Sequence, residues 1–145
     1  RVSARLGPMT SGLPQLSPQL CQQLLAAAQE SHPREACGLL TCGADRELAW
    51  VQVQNRAKGD QEFEMAAEDI VRALGGAEWI GTWHSHPHGD WHPSPADGSA
   101  AWEESLCLIL GMGGERPSIG LWRRRDGVFE VLEHKDLPPA RATDA

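Results

Sequence analysis

A chain of 145 residues with 41% hydrophobic and 23% charged residues has the make-up of one ordinary folded domain, long enough to bury a core without staples. A formal charge of −7 argues against a nucleic-acid surface, which needs clustered Lys and Arg; Arg123-Arg124-Arg125 is too short a run to reverse that. The longest apolar runs, such as Leu106 to Leu110, fall far short of a membrane span, and the first residues lack a signal-peptide succession, although a chain opening on Arg1 rather than Met leaves a trimmed leader open.

Residues 1–16 hold Gly7-Pro8, Ser11-Gly12 and Pro14, turn formers without periodicity, and read as an extended lead-in. Ser17-Pro18 then supplies an N-cap with proline at the first helical position, and Leu20, Leu24, Leu25 and Ala28 recur on one face of a helix over 18–31. His32-Pro33 ends it. Ala36 to Cys42 reads as a buried strand beginning just after Glu35, and Gly43-Ala44-Asp45 turns the chain into Leu48 to Gln54, whose alternation of Val51/Val53 with Gln52/Gln54 predicts the second arm of a hairpin. A polar loop over 55–61 leads to a short extended piece at Phe63 to Met65 and a helix over 67–74 that Gly75-Gly76 stops.

Trp79 to His86 is the next strand. Ser94-Pro95-Ala96-Asp97 opens a third helix running to about Glu104, and Ser105 to Met112 is a buried strand. Ser118 to Arg124 and Val128 to Glu133 form a last hairpin around Asp126-Gly127. The polar, Pro/Ala-rich residues after His134 read as a flexible tail over 135–145, which leaves 17–134 as the domain. This order implies an α/β fold, a mixed central β-sheet flanked by helices, with His84 and His86 at the C-terminal end of a central strand, where open sheets collect ligand sites. The cysteines, Cys21, Cys37, Cys42 and Cys107, show no C-x-x-C pair and no secreted-type framework, so reduced thiols in a cytoplasmic protein are the simplest reading.

The chemistry concentrates in Trp83-His84-Ser85-His86-Pro87. On a strand, His84 and His86 project side by side while Ser85 faces away, which makes half of a metal site. Asp97 can supply a third ligand, because Pro87, Gly89 and Pro93 break the strand and fold the chain back over its end. Two imidazoles, a carboxylate and an open position are the composition of catalytic zinc. Asp90 is a weaker alternative carboxylate, and His88 and His92 lie in the same Gly/Pro-rich loop as solvent-facing residues. Ser94 and Asp97 also have a plain explanation, since Ser at the N-cap with an acid at N3 stabilises a helix start without any metal; both roles can hold together. Glu35 by itself is an ordinary acid, of interest because a carboxylate at a sheet end can reach a neighbouring strand's metal. Cys37 is a possible thiolate ligand that suits core packing better. The cytidine-deaminase pattern of H-x-E with a distant P-C-x-x-C is not met.

Taken together, Glu35, His84-Ser85-His86-Pro87 and Ser94-Pro95-Ala96-Asp97 resemble the JAMM signature of the JAB/MPN+ metalloproteases, E…H-[ST]-H-P-x6-S-x-x-D, with each position and the local spacing filled. His32 to Leu40 is similar to the start of that family's first strand, and Asn55 with Phe63 to its middle segment; the likeness covers residues 17–133. The resemblance implies the JAB/MPN fold, with the layers of a cytidine deaminase, zinc on His84, His86, Asp97 and water, Glu35 as general base and Ser94 steadying the oxyanion. It also implies cleavage of a peptide or isopeptide bond. With so short a segment before Asp97, the chain looks like compact prokaryotic or phage-type members, acting on ubiquitin-like or sulfur-carrier proteins with a Gly-Gly type C-terminus, or on their conjugates. Trp83, Trp91 and Trp102 are close enough in sequence to line a substrate groove, although core packing suits Trp83 and Trp102 equally. Two alternatives stay open: a non-catalytic MPN-type binding scaffold, and a zinc hydrolase of small peptide or amino-acid amides.

Overall fold

The computed structural model describes residues 15–43, 47–100 and 104–138. Residues 1–14 of the expected lead-in, Ala44 and Asp45 of the first turn, Trp102 near the end of the third helix, and the last seven residues of the expected tail lie outside the described residues. Among the described residues nine elements follow in the order α1 (Pro18–Ser31), β1 (Cys37–Cys42), β2 (Leu48–Val53), α2 (Ala67–Leu74), β3 (Glu78–His86), α3 (Pro95–Ala100), β4 (Leu106–Gly111), β5 (Ser118–Arg125) and β6 (Val128–Asp136). The strands form one mixed sheet in the order β2-β1-β3-β4-β5-β6, in which only β3 and β4 run parallel.

Local chemistry sets the element ends. Ser17 Oγ accepts the Leu20 N–H and Pro18 opens α1, so one orphan donor of the first turn is satisfied and another position needs none. Gly75 closes α2 in the left-handed region at φ 51°, a conformation glycine adopts without steric cost. Asp126 and Gly127, both at positive φ, make the tight turn of the β5–β6 hairpin.

Alternation along the strands gives the sheet two different faces. One face carries Leu40, Trp83, Leu106, Leu108, Leu110, Ile119 and Leu121 against Leu20, Leu24 and Ala28 of α1, and forms the main core. On the other face Leu39, Val53 and Trp79 are covered by Met65 and by Ile70, Ala73 and Leu74 of α2, while Cys107, Ile109 and Trp122 are covered by Trp91 and Phe129. Between these two clusters, at the C-terminal ends of the parallel pair, the second face holds His84 and His86.

Two segments differ from expectation. Phe63–Met65 joins no strand: Asn55 Oδ1 accepts the N–H groups of Ala57 and Glu64, and its Nδ2 donates to the carbonyls of Glu35 and Glu62, so this stretch is a loop wound around one amide. At the other end, β6 continues to Asp136, Leu137 is 4% exposed and its N–H donates to the Pro117 carbonyl, so residues 135–137 belong to the packed structure rather than to a tail. Among the described residues no helix is long and apolar enough to cross a membrane.

Candidate metal centre

The parallel pairing of β3 and β4 requires the chain to cross back along the sheet, and the first part of that crossover, residues 87–97, folds over the end of β3. It carries Ser94 and Asp97 to the imidazoles. His84 Nε2 and His86 Nε2 lie 3.1 Å apart, Asp97 Oδ1 is 3.1 Å from the first and Asp97 Oδ2 3.2 Å from the second. Asp97 is aimed by the helix start: the Ser94 N–H donates to Asp97 Oδ2 at 2.8 Å while the Asp97 N–H donates to Ser94 Oγ at 3.3 Å, a reciprocal capping box. Capping and site-building are thus one arrangement.

Each imidazole is fixed from behind. His86 Nδ1 is 2.8 Å from the Asp90 carbonyl, which can only accept, so Nδ1 carries the proton and Nε2 faces the cluster. His84 is 1% exposed, sits opposite Cys37 and Ile109 in the sheet, and stacks on Phe63 at 4.6 Å. Its Nδ1 is buried with no hydrogen-bond partner among the described residues, and the ring's polar connections to them run through Nε2.

Glu35 arrives from the other side. It is 5% exposed, and Glu35, His84 and His86 each place one ligand-type atom within 4.8 Å of the others. Ser85, facing away from the imidazoles, holds this approach: its Oγ accepts the Ala36 N–H at 2.8 Å and its own N–H donates to the Ala36 carbonyl at 2.9 Å. Asn55 holds the Glu35 carbonyl at 2.9 Å, and the Arg34 guanidinium donates to the Ala57 carbonyl. A cleft of about 360 Å³ opens above these groups, lined by Glu35, His86, Ser94, Gln61 and His88 among others.

Electrostatics divides the two acids. Burial raises the Glu35 carboxyl to about 7; the nearby His86 opposes this and Asp97 and Glu62 reinforce it. Asp97 is also buried, yet hydrogen bonds from His84, His86 and the Ser94 N–H hold it well below the usual carboxylate range. Burial lowers His84 and keeps it neutral; at His86 burial is outweighed by Asp97 and the Asp90 carbonyl, and the net shift is upward.

These residues fit a metal ion. In a tetrahedral zinc site, bonds of about 2.0–2.1 Å put neighbouring ligand atoms about 3.3 Å apart, close to the spacings found here. Two imidazole Nε2 atoms and an ionised carboxylate converging at these distances are a nitrogen–oxygen donor set that suits a zinc-type cation.

The other residues singled out in the sequence fall elsewhere. Asp90 turns its carboxylate to the His92 N–H, with its side chain 68% exposed, and contributes to the site through its backbone carbonyl instead. His88 and His92 are exposed, His88 edge-on to His32. Cys37 is fully buried, burial pushes its thiol up to about 12, and its Sγ lies 3.5 Å from the Val53 carbonyl, so it packs the core as a neutral thiol. Trp83 is 0% exposed on the α1 face, its Nε1 donating to the Val51 carbonyl, and cannot touch a substrate. Trp91 is half-buried and stacked within the molecule. Ser85 and the Asp90 carbonyl were not anticipated as parts of the site; that Ser85 alternates away from the two histidines was the only clue to its separate task.

A mixed sheet that brings a carboxylate–imidazole cluster to the end of its parallel strands defines an α/β domain with a metal-type centre. The chain belongs to the family of prokaryotic homologs of the JAB domain, whose model matches residues 17–125. Its fold is similar to the solution structure of protein DSY2949 from Desulfitobacterium hafniense, at 24% identity over 79% of this chain and 86% of that one with a TM-score of 0.69. A solution structure from Salinibacter ruber matches at 20% identity, 87% and 92% coverage and a TM-score of 0.53. The crystal structure of AF2198, a JAB1/MPN domain protein from Archaeoglobus fulgidus, matches at 22% identity, 80% and 92% coverage and a TM-score of 0.52. A comparison with curated protein sequences returned no match.

Proposed function

We propose that this domain is a zinc-dependent hydrolase of peptide or isopeptide bonds, with His84, His86 and Asp97 as zinc ligands, Glu35 as general base and Ser94 as oxyanion donor. The observation that carries the reading is the convergence of two Nε2 atoms and the Asp97 carboxylate within 3.2 Å, with the buried Glu35 beside them. Bound zinc supplies Lewis acidity that polarises a carbonyl and lets water give up a proton near neutral pH. Glu35, whose carboxyl is raised toward 7, takes that proton and returns it to the leaving amine nitrogen, a transfer for which an acid–base group poised near the working pH is best suited. Ser94 Oγ already accepts from the Asp97 N–H, so its own proton remains available for the carbonyl oxygen as negative charge develops there.

The proposed substrate is a ubiquitin-like or sulfur-carrier protein whose flexible Gly-Gly type C-terminus enters the cleft above Glu35, in a cytoplasmic setting. Family membership and a cleft that opens directly onto Glu35, His86 and Ser94 support this reading. Its test is mass spectrometry of ubiquitin-like proteins bearing C-terminal extensions, incubated with wild type and Glu35→Gln. Wild type should release the extension at the Gly-Gly junction, and Glu35→Gln should retain zinc while losing about 10²–10⁴-fold in rate. Cleavage of free dipeptides alone would replace the carrier with a small amide, and a protein that binds zinc yet cleaves neither would be the scaffold.

A further inference from the structure

We infer that Trp91 is a positioning residue for the metal centre, holding the Asp90 carbonyl that orients His86. Among the described residues, the His86 imidazole has its one hydrogen bond to a backbone group, at 2.8 Å, with the carbonyl of Asp90, one residue before Trp91. That carbonyl belongs to a loop with no helix or strand of its own, so something outside the loop must fix it.

The loop is seated on glycines from β4, β5 and the turn between them. A Cβ at Gly111 would stand 2.4 Å from the Asp90 carbonyl carbon and 2.7 Å from the Trp91 nitrogen, and one at Gly113 would stand 2.4 Å from the His88 oxygen. A Cβ at Gly120 would meet Trp91 Cε3 at 2.4 Å. Real side chains do not approach that closely, so the sheet is shaped to receive this loop and the indole. The indole is then locked in place. It stacks on Trp122 at 5.2 Å and on His134 at 4.4 Å with an interplanar angle of 7°, and Trp122 Nε1 donates to the Trp91 carbonyl at 3.0 Å. Gly113 N–H to Gly89 O at 3.0 Å and Met112 N–H to His86 O at 3.0 Å tie the loop's first half to the end of β4. Trp91 is the one large side chain of residues 87–93 inserted in a buried cluster, so the loop's second half, and with it the Asp90 carbonyl, hangs on that ring. The partners that orient a metal-binding imidazole through its other nitrogen commonly govern affinity 10–100-fold.

The inference rests on the metal reading of His84, His86 and Asp97, and the experiment separates the two. Zinc affinity is measured by competition with a chromogenic chelator for wild type, Trp91→Ala, Trp91→Phe and His134→Ala, alongside NMR detection of the His86 Nδ1–H proton in the metal-free proteins. Expected are a 10–100-fold weaker affinity and a rapidly exchanging Nδ1–H in Trp91→Ala, near-recovery in Trp91→Phe, and a smaller loss of the same sign in His134→Ala, an exposed site whose change leaves the core intact. If wild type binds no zinc, the metal reading fails, and the Nδ1–H signal alone still decides the role of Trp91. A folded Trp91→Ala with wild-type affinity and a protected Nδ1–H overturns the inference. Should Trp91→Ala not fold, His134→Ala takes its place, and unchanged affinity and exchange in that variant overturn it equally.

Discussion

Glu35 shows how one side chain couples stability to chemistry. Its carboxyl is raised from 4.5 to about 7, so in the metal-free protein its contribution to stability is fully present below about pH 4.5 and is lost as pH rises through 7. The linked free energy is about 3 kcal/mol. Denaturation of the chelator-treated protein at pH 5 and pH 8 should therefore show wild type losing more stability than Glu35→Gln over that interval, the difference approaching this figure; parallel curves would contradict the burial argument. The thiols give a second test. Cys37, raised to about 12, and the fully buried Cys107, raised further, should resist alkylation at pH 8 until the protein unfolds, as peptide mapping after brief iodoacetamide treatment would reveal. The five residues of the signature were legible because each is a chemically distinctive type at fixed spacing. Trp83 misled, as an aromatic beside a histidine suggests a groove, whereas strand alternation sends it to the opposite face.

Elements that carry no ligand decide whether the ligands meet. Ser85 closes a two-bond latch between β3 and the segment carrying Glu35, and replacing it with Ala leaves the buried Ala36 N–H without an acceptor, a cost of about 1–3 kcal/mol. Thermal or urea denaturation of Ser85→Ala should show that loss, while Ser85→Thr, which keeps the hydroxyl, should recover most of it. Asn55 is more demanding, because the four hydrogen bonds of its side-chain amide run to the backbone of Glu35, Ala57, Glu62 and Glu64. Asn55→Ala should free both the Glu35 junction and Phe63, the ring against His84; a loss of zinc affinity together with stability, read by chelator competition, is the expected outcome. Helices α1 and α2 and all six described strands are readable from periodicity and caps, β6 with its end three residues short. The extended piece expected at Phe63–Met65 pairs with no strand, and its three alternating residues gave no sign that Asn55 organises the loop around them. The last residues of β6 were misread because an edge strand, half in water, has the composition of a tail.

For the molecule as a whole, the proposed zinc centre would be assembled only in the folded chain, which would make zinc a stabilising ligand. At a free concentration 100 times the dissociation constant it adds about 2.7 kcal/mol, and a scanning calorimetry trace should shift to lower temperature on chelation and return when zinc is restored. What no local pattern could reveal was the sheet order, since placing β3 between β1 and β4 depends on pairing between residues far apart in sequence, as for Cys37 with His84 and Gly81 with Leu106. That placement has a consequence for how a correctly folded molecule can be recognised. The two faces of β3 are unlike, with Trp83 and Ser85 on one side and His84 and His86 on the other, so a slip of one residue would drive two imidazoles under α1 and an indole out over the cleft. Metal uptake during refolding is therefore a register gauge: a chain that has acquired its helices and strands but paired β3 one step out of phase will have native-like circular dichroism and no zinc.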